Sequence, residues 1–180
     1  MNYLWLDMEM TGLDVQKCVI LEVAAIVTDV NFTPLTSYHA VVYQPPEVLA
    51  GMDAWCTETH GKSGLTAAVA KGAPLAEVEK QLLDIVERYW MGTDRPVLAG
   101  NSIGQDRKFI DAYMPLLGAR LHYRLLDVSS YKVVFNDRFG IQYEKRGAHR
   151  ALDDILESIA ELTLYLSHVR APVPDAPATP

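Results

Sequence analysis

The sequence predicts an α/β fold built on one mixed β-sheet flanked by helices. Two observations carry this expectation. Three β-branched or apolar runs lie within the first 43 residues, joined by short connections, as in an antiparallel meander. Beyond them, short apolar runs alternate with segments of helical periodicity, the pattern that brings further strands into a sheet through helices.

The elements follow in order. Tyr3 to Asp7 is a short apolar run ending in an acid and reads as a strand. Val19 to Thr28 is β-branched and nearly continuous, as expected of a strand buried on both faces. Leu35 to Tyr43 alternates more and ends at Gln44-Pro45-Pro46. A short helix is expected over Glu47 to Met52, then a segment from Thr57 to Ala70 broken by Gly61 and Gly64. Leu75, Val78, Leu82, Ile85 and Val86 form a helical stripe within Leu75 to Tyr89. Val97 to Ala99 reads as a buried strand that leaves through Gly100-Asn101-Ser102 for a helix near Gln105 to Tyr113. His122 to Leu126 is a further strand, and Asp127 suits the N-cap of the helix after it. Residues 136 to 148 read as an irregular connection before a long helix from Arg150 to Ser167.

The 180 residues suit a single domain over residues 1–170, with a Pro/Ala-rich, disordered tail expected at 171–180, where four of ten residues are proline. A net charge of −7 argues against holding long duplex nucleic acid, which needs a basic stripe to neutralise phosphates. It leaves room for a short nucleic acid bound through metal ions, which bring their own positive charge. Cys18 and Cys56 are too few for a disulfide framework or a zinc site. No segment approaches the roughly 18 apolar residues of a membrane span. The N-terminus lacks the basic region of a signal peptide, so a cytoplasmic location is expected.

Three segments could carry chemistry. In Asp7-Met8-Glu9, residues two apart on a strand point to one face, and paired carboxylates repel unless a cation lies between them. Asp106 follows a strand end and small residues, which sets it at the carboxyl edge where α/β ligands bind; taken alone, it reads better as a helix N-terminal acid complementing the macrodipole. In the long helix the apolar stripe is Ala151, Leu152, Ile155, Ile159, Leu162 and Leu166. At ~100° per residue, Asp153 falls opposite that stripe and Asp154 at its edge, which favours Asp154 for a partly buried site. His149 stands just before the helix. Four carboxylates and a histidine at element ends are what a two-metal phosphodiesterase needs. Mg²⁺ and Mn²⁺ prefer carboxylate oxygens, and a neutral imidazole can take a proton from water.

Asp7-x-Glu9, Asp106 and His149-x-x-x-x-Asp154 resemble the three exonuclease motifs of the DEDDh superfamily, which has a ribonuclease H-like fold. More narrowly, DMEMTGLD (7–14), MDAWCTETHGKSGL (52–65), GNSIGQDRKFI (100–110), HYRLLDVSS (122–130) and HRALDDILESIAEL (149–162) resemble the oligoribonuclease family, over about residues 1 to 168. The resemblance implies a 3′→5′ exoribonuclease that cuts short oligoribonucleotides, dinucleotides included, to 5′-nucleoside monophosphates and so completes RNA decay. It implies Asp7, Glu9, Asp106 and Asp154 as ligands of two divalent ions, Mg²⁺ or Mn²⁺, and His149 as general base. It further implies Leu13 and Trp55 against a base, and Ser102, His60 and Arg124 at the 5′ phosphate. Tyr123 would come from the partner of a homodimer. Each of these six has a plainer reading. Leu13 and Trp55 suit a core, Ser102 a helix cap, Arg124 an ion pair, and His60 or Tyr123 a surface. Glu22, an acid inside an apolar strand, has no assigned role; an ion pair or a supporting contact is expected ahead of ligation.

Overall fold

The expected N-terminal meander is present. The computed structural model describes residues 2–144 and 150–169. Strands β1 (Tyr3–Met10), β2 (Ile20–Thr28) and β3 (Pro34–Val41) pair antiparallel, and β4 (Val97–Gly100) and β5 (Leu125–Asp127) add parallel to β1. The resulting sheet has the order β3-β2-β1-β4-β5. Its helices are α1 (Pro46–Ala50), α2 (Ala54–Lys62), α3 (Leu65–Val69), α4 (Leu75–Tyr89), α5 (Gly104–Tyr113), α6 (Pro115–Arg120), α7 (Val128–Phe139) and α8 (Ala151–Ser167). The tail at 171–180 lies outside the described residues.

Every residue of β2 is buried, because helices cover both faces of the sheet. Alternation along the strands sorts the core. Leu4, Leu6, Met8, Val23, Ala25 and Val27 face the side where Val78, Leu82 and Val86 of α4 and Phe109 and Ile110 of α5 pack. Trp5, Ala24 and Ile26 face the other side, against Ile155, Leu162 and Tyr165 of α8 and Phe135 of α7. Full burial of each Val, Leu, Ile, Phe or Met side chain among these stabilises by about 1.5–3 kcal/mol.

The structure shifts several expected boundaries. β1 continues to Met10, so Asp7 and Glu9 lie inside it. Gly61 is within α2, and the break falls at Gly64, whose φ of +76° suits glycine. β5 starts at Leu125 rather than His122. α6 was not expected; Pro115 opens it, where its missing amide costs no bond. α7 runs to Phe139, into the connection expected from 136, and stops at Gly140, with φ +67°. Leu166, placed in the α8 stripe, is exposed. Among the described residues no helix is long and apolar enough to cross a membrane.

Candidate active site

Period-two alternation puts Asp7 and Glu9 on the same face of β1 as Trp5, the face covered by α8. Asp154, in the first turn of α8, is half-buried, while Asp153 turns to solvent, as the stripe geometry requires. The carboxylates of Asp7, Glu9 and Asp154 each offer an oxygen within 4.8 Å of the others. Residues about 150 positions apart in sequence thus converge at the carboxyl end of β1.

Asp106 arrives from the neighbouring parallel strand. A Cβ on Gly100 would lie 2.8 Å from the Leu6 carbonyl, so glycine lets the end of β4 close against β1. The chain then turns through Ser102, held at φ +50° with its amide donating to Asp127 at 2.9 Å, and enters α5. Asp106 is buried in the first turn of α5, and its Oδ1 accepts the Met8 amide at 3.0 Å. The fourth carboxylate is therefore tied to the strand between Asp7 and Glu9.

Crowding of these acids shows in their proton affinity. Burial, then the charges of Asp154, Glu22 and Asp106, push Glu9 up to about 7, against a smaller opposing effect of Arg150. Burial also pushes Asp106 up to about 7, with Asp127 adding to it, although the Asp106 and Met8 amides favour the charged form. A divalent cation would relieve this repulsion by displacing those protons. The donor set is carboxylate oxygen throughout, which suits hard ions such as Mg²⁺ and Mn²⁺ rather than thiolate-seeking metals.

A cavity of about 430 Å³ adjoins the cluster, bounded by Glu9, Met10, Leu13, Trp55, Cys56 and His60 among others. Leu13 and Trp55 are 74% and 60% exposed, so neither is core. The loop bearing Leu13 is pinned by Gln105, which donates to the Leu13 carbonyl, and by Tyr113, which donates to the Val15 and Cys18 carbonyls. His60 is 1% exposed; its Nε2 donates to the Met10 carbonyl at 2.9 Å, and its Nδ1 lies 3.8 Å from Glu9. The ring is thus buried at the cavity wall, not a surface residue. Ser102, Tyr123 and Arg124 are exposed, with the Arg124 guanidinium over the Tyr123 ring at 5.3 Å. His149 lies outside the described residues. A larger cavity, about 550 Å³, opens at the opposite end of the sheet near Asn2, Trp90 and His122 and contains none of the four carboxylates.

Asn101 and Gln105 had no assigned role in the sequence, whereas Asp127, expected as an N-cap, accepts the Ser129 amide at 3.0 Å and so caps α7. Asn101 donates to Ser158 and to buried Glu161, bracing α8 against β4. Gln105 and Asp127 hold the two loops that flank Asp106. Asn101 and Gln105 belong to the GNSIGQD segment, so the signal was visible, but their partners are distant in sequence.

A five-stranded mixed sheet with acids clustered at the carboxyl edge of its central strand is a ribonuclease H-like arrangement, and the family model that the chain matches makes it an exonuclease. The chain matches the family model described as Exonuclease (RNase_T) over residues 4–162. Exonuclease I from Methylocaldum szegediense has a similar structure, with a TM-score of 0.73 at 16% identity over 93% of this chain and 40% of that one. E. coli exonuclease I in complex with a dT13 oligonucleotide gives 0.67 at 17% identity, over 91% and 40%. Those likenesses concern the fold.

Relatives at higher identity narrow the class. An oligoribonuclease of Francisella tularensis subsp. tularensis is 45% identical over 168 residues, covering 91% of this chain and 93% of that protein. One from Neisseria meningitidis is 45% identical over 182 residues, covering 98% and 97%. The chain belongs to the oligoribonuclease family.

Proposed function

We propose that this protein hydrolyses the 3′-terminal phosphodiester of short oligoribonucleotides, dinucleotides included, releasing 5′-nucleoside monophosphates. The convergence of Asp7, Glu9 and Asp154 within 4.8 Å, with Asp106 bonded to the strand between the first two, carries the reading. These four carboxylates would hold two divalent ions, Mg²⁺ or Mn²⁺. When bound, such a pair activates the attacking water and stabilises the leaving oxygen. His149 is assigned the general-base role, taking the proton of that water.

Around this centre the chain's own residues orient the substrate. Leu13 and Trp55, exposed beside the cavity, offer apolar surface to a base. Ser102 and Arg124 are assigned to the 5′ phosphate, with His60 joining them if the ring is released from Met10. A phosphate capped in this way leaves a longer RNA no path, which favours the shortest substrates. Tyr123, 77% exposed, is assigned to the site of the partner in a homodimer. The oligoribonuclease relatives support RNA as substrate.

The deciding experiment incubates a labelled diribonucleotide with Mn²⁺, with and without chelator. Metal-dependent release of 5′-monophosphates is expected, and no turnover with any divalent ion overturns the reading. The E. coli exonuclease I neighbour is bound to a DNA oligonucleotide, which makes a DNA exonuclease the second reading. Comparing a short RNA with the same DNA sequence separates the two, because only RNA offers a 2′-OH.

A further inference from the structure

Glu22 is an acid at the centre of an apolar strand and is 0% exposed. It stands directly opposite Glu9 in the β1–β2 ladder, so both side chains share the face covered by α8. Like charges facing each other across a ladder destabilise a sheet, and an apolar residue would pack there without that repulsion. The carboxylate is nevertheless fully engaged. Arg150 Nε donates to both of its oxygens, at 2.9 and 3.2 Å, and Arg150 Nη2 donates to Oε1 at 2.5 Å. The Ala151 amide donates to Oε2 at 3.1 Å, and His39 Nε2 on β3 lies 2.6 Å from Oε1.

These bonds join β2 and β3 to the start of α8. Arg150 is the N-cap residue of that helix, yet its side chain makes no capping bond; the first helical amide is satisfied from β2 instead. Asp154 follows one turn later, with its amide bonded to the Arg150 carbonyl. An apolar helix face alone tolerates sliding on a sheet. A shift of one residue moves a side chain by about 1.5 Å along the axis and ~100° around it, enough to take Asp154 out of the cluster. A bidentate guanidinium–carboxylate pair admits one register only.

We propose that Glu22 is a positioning residue of the metal site: through Arg150 and Ala151 it fixes the first turn of α8 on the sheet and so holds the Asp154 carboxylate beside Asp7 and Glu9. This rests on the metal-ion reading above.

The test replaces the pair together, Glu22→Leu with Arg150→Leu, which keeps the net charge and leaves neither charged partner buried alone. Mn²⁺ affinity is read by electron paramagnetic resonance titration, alongside the melting temperature and kcat on a labelled diribonucleotide at saturating Mn²⁺. A melting temperature near or above that of the unaltered protein is expected, while Mn²⁺ affinity and kcat each fall about 10–100-fold. Unchanged affinity and kcat in the double variant overturn the role of Glu22. Failure of the unaltered protein to bind Mn²⁺ overturns the metal reading instead, and this role with it. If the double variant does not fold, Glu22→Gln, close to the native side chain in shape, carries the same readouts with the same outcomes.

Discussion

The Met8 amide donates to Asp106 Oδ1 at 3.0 Å, and this bond sets the first turn of α5 against β1 midway between Asp7 and Glu9. A residue from the first turn of α5 thereby joins two on β1 without sharing an element with them. Asp106→Asn preserves the shape and an oxygen for the Met8 amide but removes the charge. The fold should persist with an unchanged or higher melting temperature at pH 8, because a buried charge is gone. Turnover of a diribonucleotide should fall by more than about a hundredfold, beyond the usual effect of losing a supporting contact. Steady-state rates near those of the native protein would remove Asp106 from the site.

Glu9 and Asp106 are both pushed up to about 7, from ordinary values of 4.5 and 3.8. A carboxyl whose folded pKa is raised contributes stability that is full below its unfolded value and is lost as pH rises through the folded value. The metal-free protein therefore loses these contributions between about pH 4 and 7, and an ion must displace the protons below pH 7. The rise in melting temperature on adding Mg²⁺ should be larger at pH 8 than at pH 6. Thermal scans at both pH values check this; an equal rise, or a larger one at pH 6, contradicts it.

Trp55 is 60% exposed and lies on the cavity beside Glu9. Trp55→Ala should change unfolding free energy by less than about 0.5 kcal/mol, as expected for a surface position. The same change should weaken diribonucleotide binding by about 1–3 kcal/mol, the worth of one base–aromatic stack. Calorimetric binding with a catalytically dead background variant measures the second quantity. Unaltered affinity would separate Trp55 from the substrate.

Asn101 donates to Glu161 Oε2 at 2.7 Å and to Ser158 Oγ at 3.1 Å, linking β4 to α8. Glu161 is fully buried. Asn101→Ala removes a donor from that buried carboxyl and should cost about 1–3 kcal/mol in urea unfolding. A smaller loss would mean that the carboxyl's remaining interactions, the Tyr165 hydroxyl donating to Oε1 at 2.9 Å among them, satisfy it without Asn101.

Tyr123 stands 77% exposed, stacked on His122. If it serves a partner's site, Tyr123→Ala should lower kcat with little effect on melting temperature, and light scattering should give a dimer. A fully active monomer contradicts this role.

The placement of the candidate carboxylates was legible in the sequence because its logic is local. Asp7 and Glu9 follow from period-two alternation, and the choice of Asp154 over Asp153 follows from the helical stripe; their observed exposures agree. The meander was equally plain, since β2 is apolar at nearly every position. What escaped depends on tertiary contact. Glu22 had no visible partner because Arg150 lies 128 residues away. α7 extends past Asn136, a weak helix former, because Phe135 packs on Tyr165 and Phe139 on Phe135. α6 is six residues long with Pro115 and Gly118 inside it, which read as breakers until packing of Leu117 is known. His60 was expected at a phosphate from resemblance, and nothing local in its sequence signals the Met10 carbonyl that holds it.

Anomalous diffraction from crystals soaked in Mn²⁺ tests the carboxylate cluster most directly. Two peaks about 3.5–4 Å apart are expected among Asp7, Glu9, Asp106 and Asp154. Crystals that diffract well yet show no peak at these side chains would contradict a metal-ion nuclease.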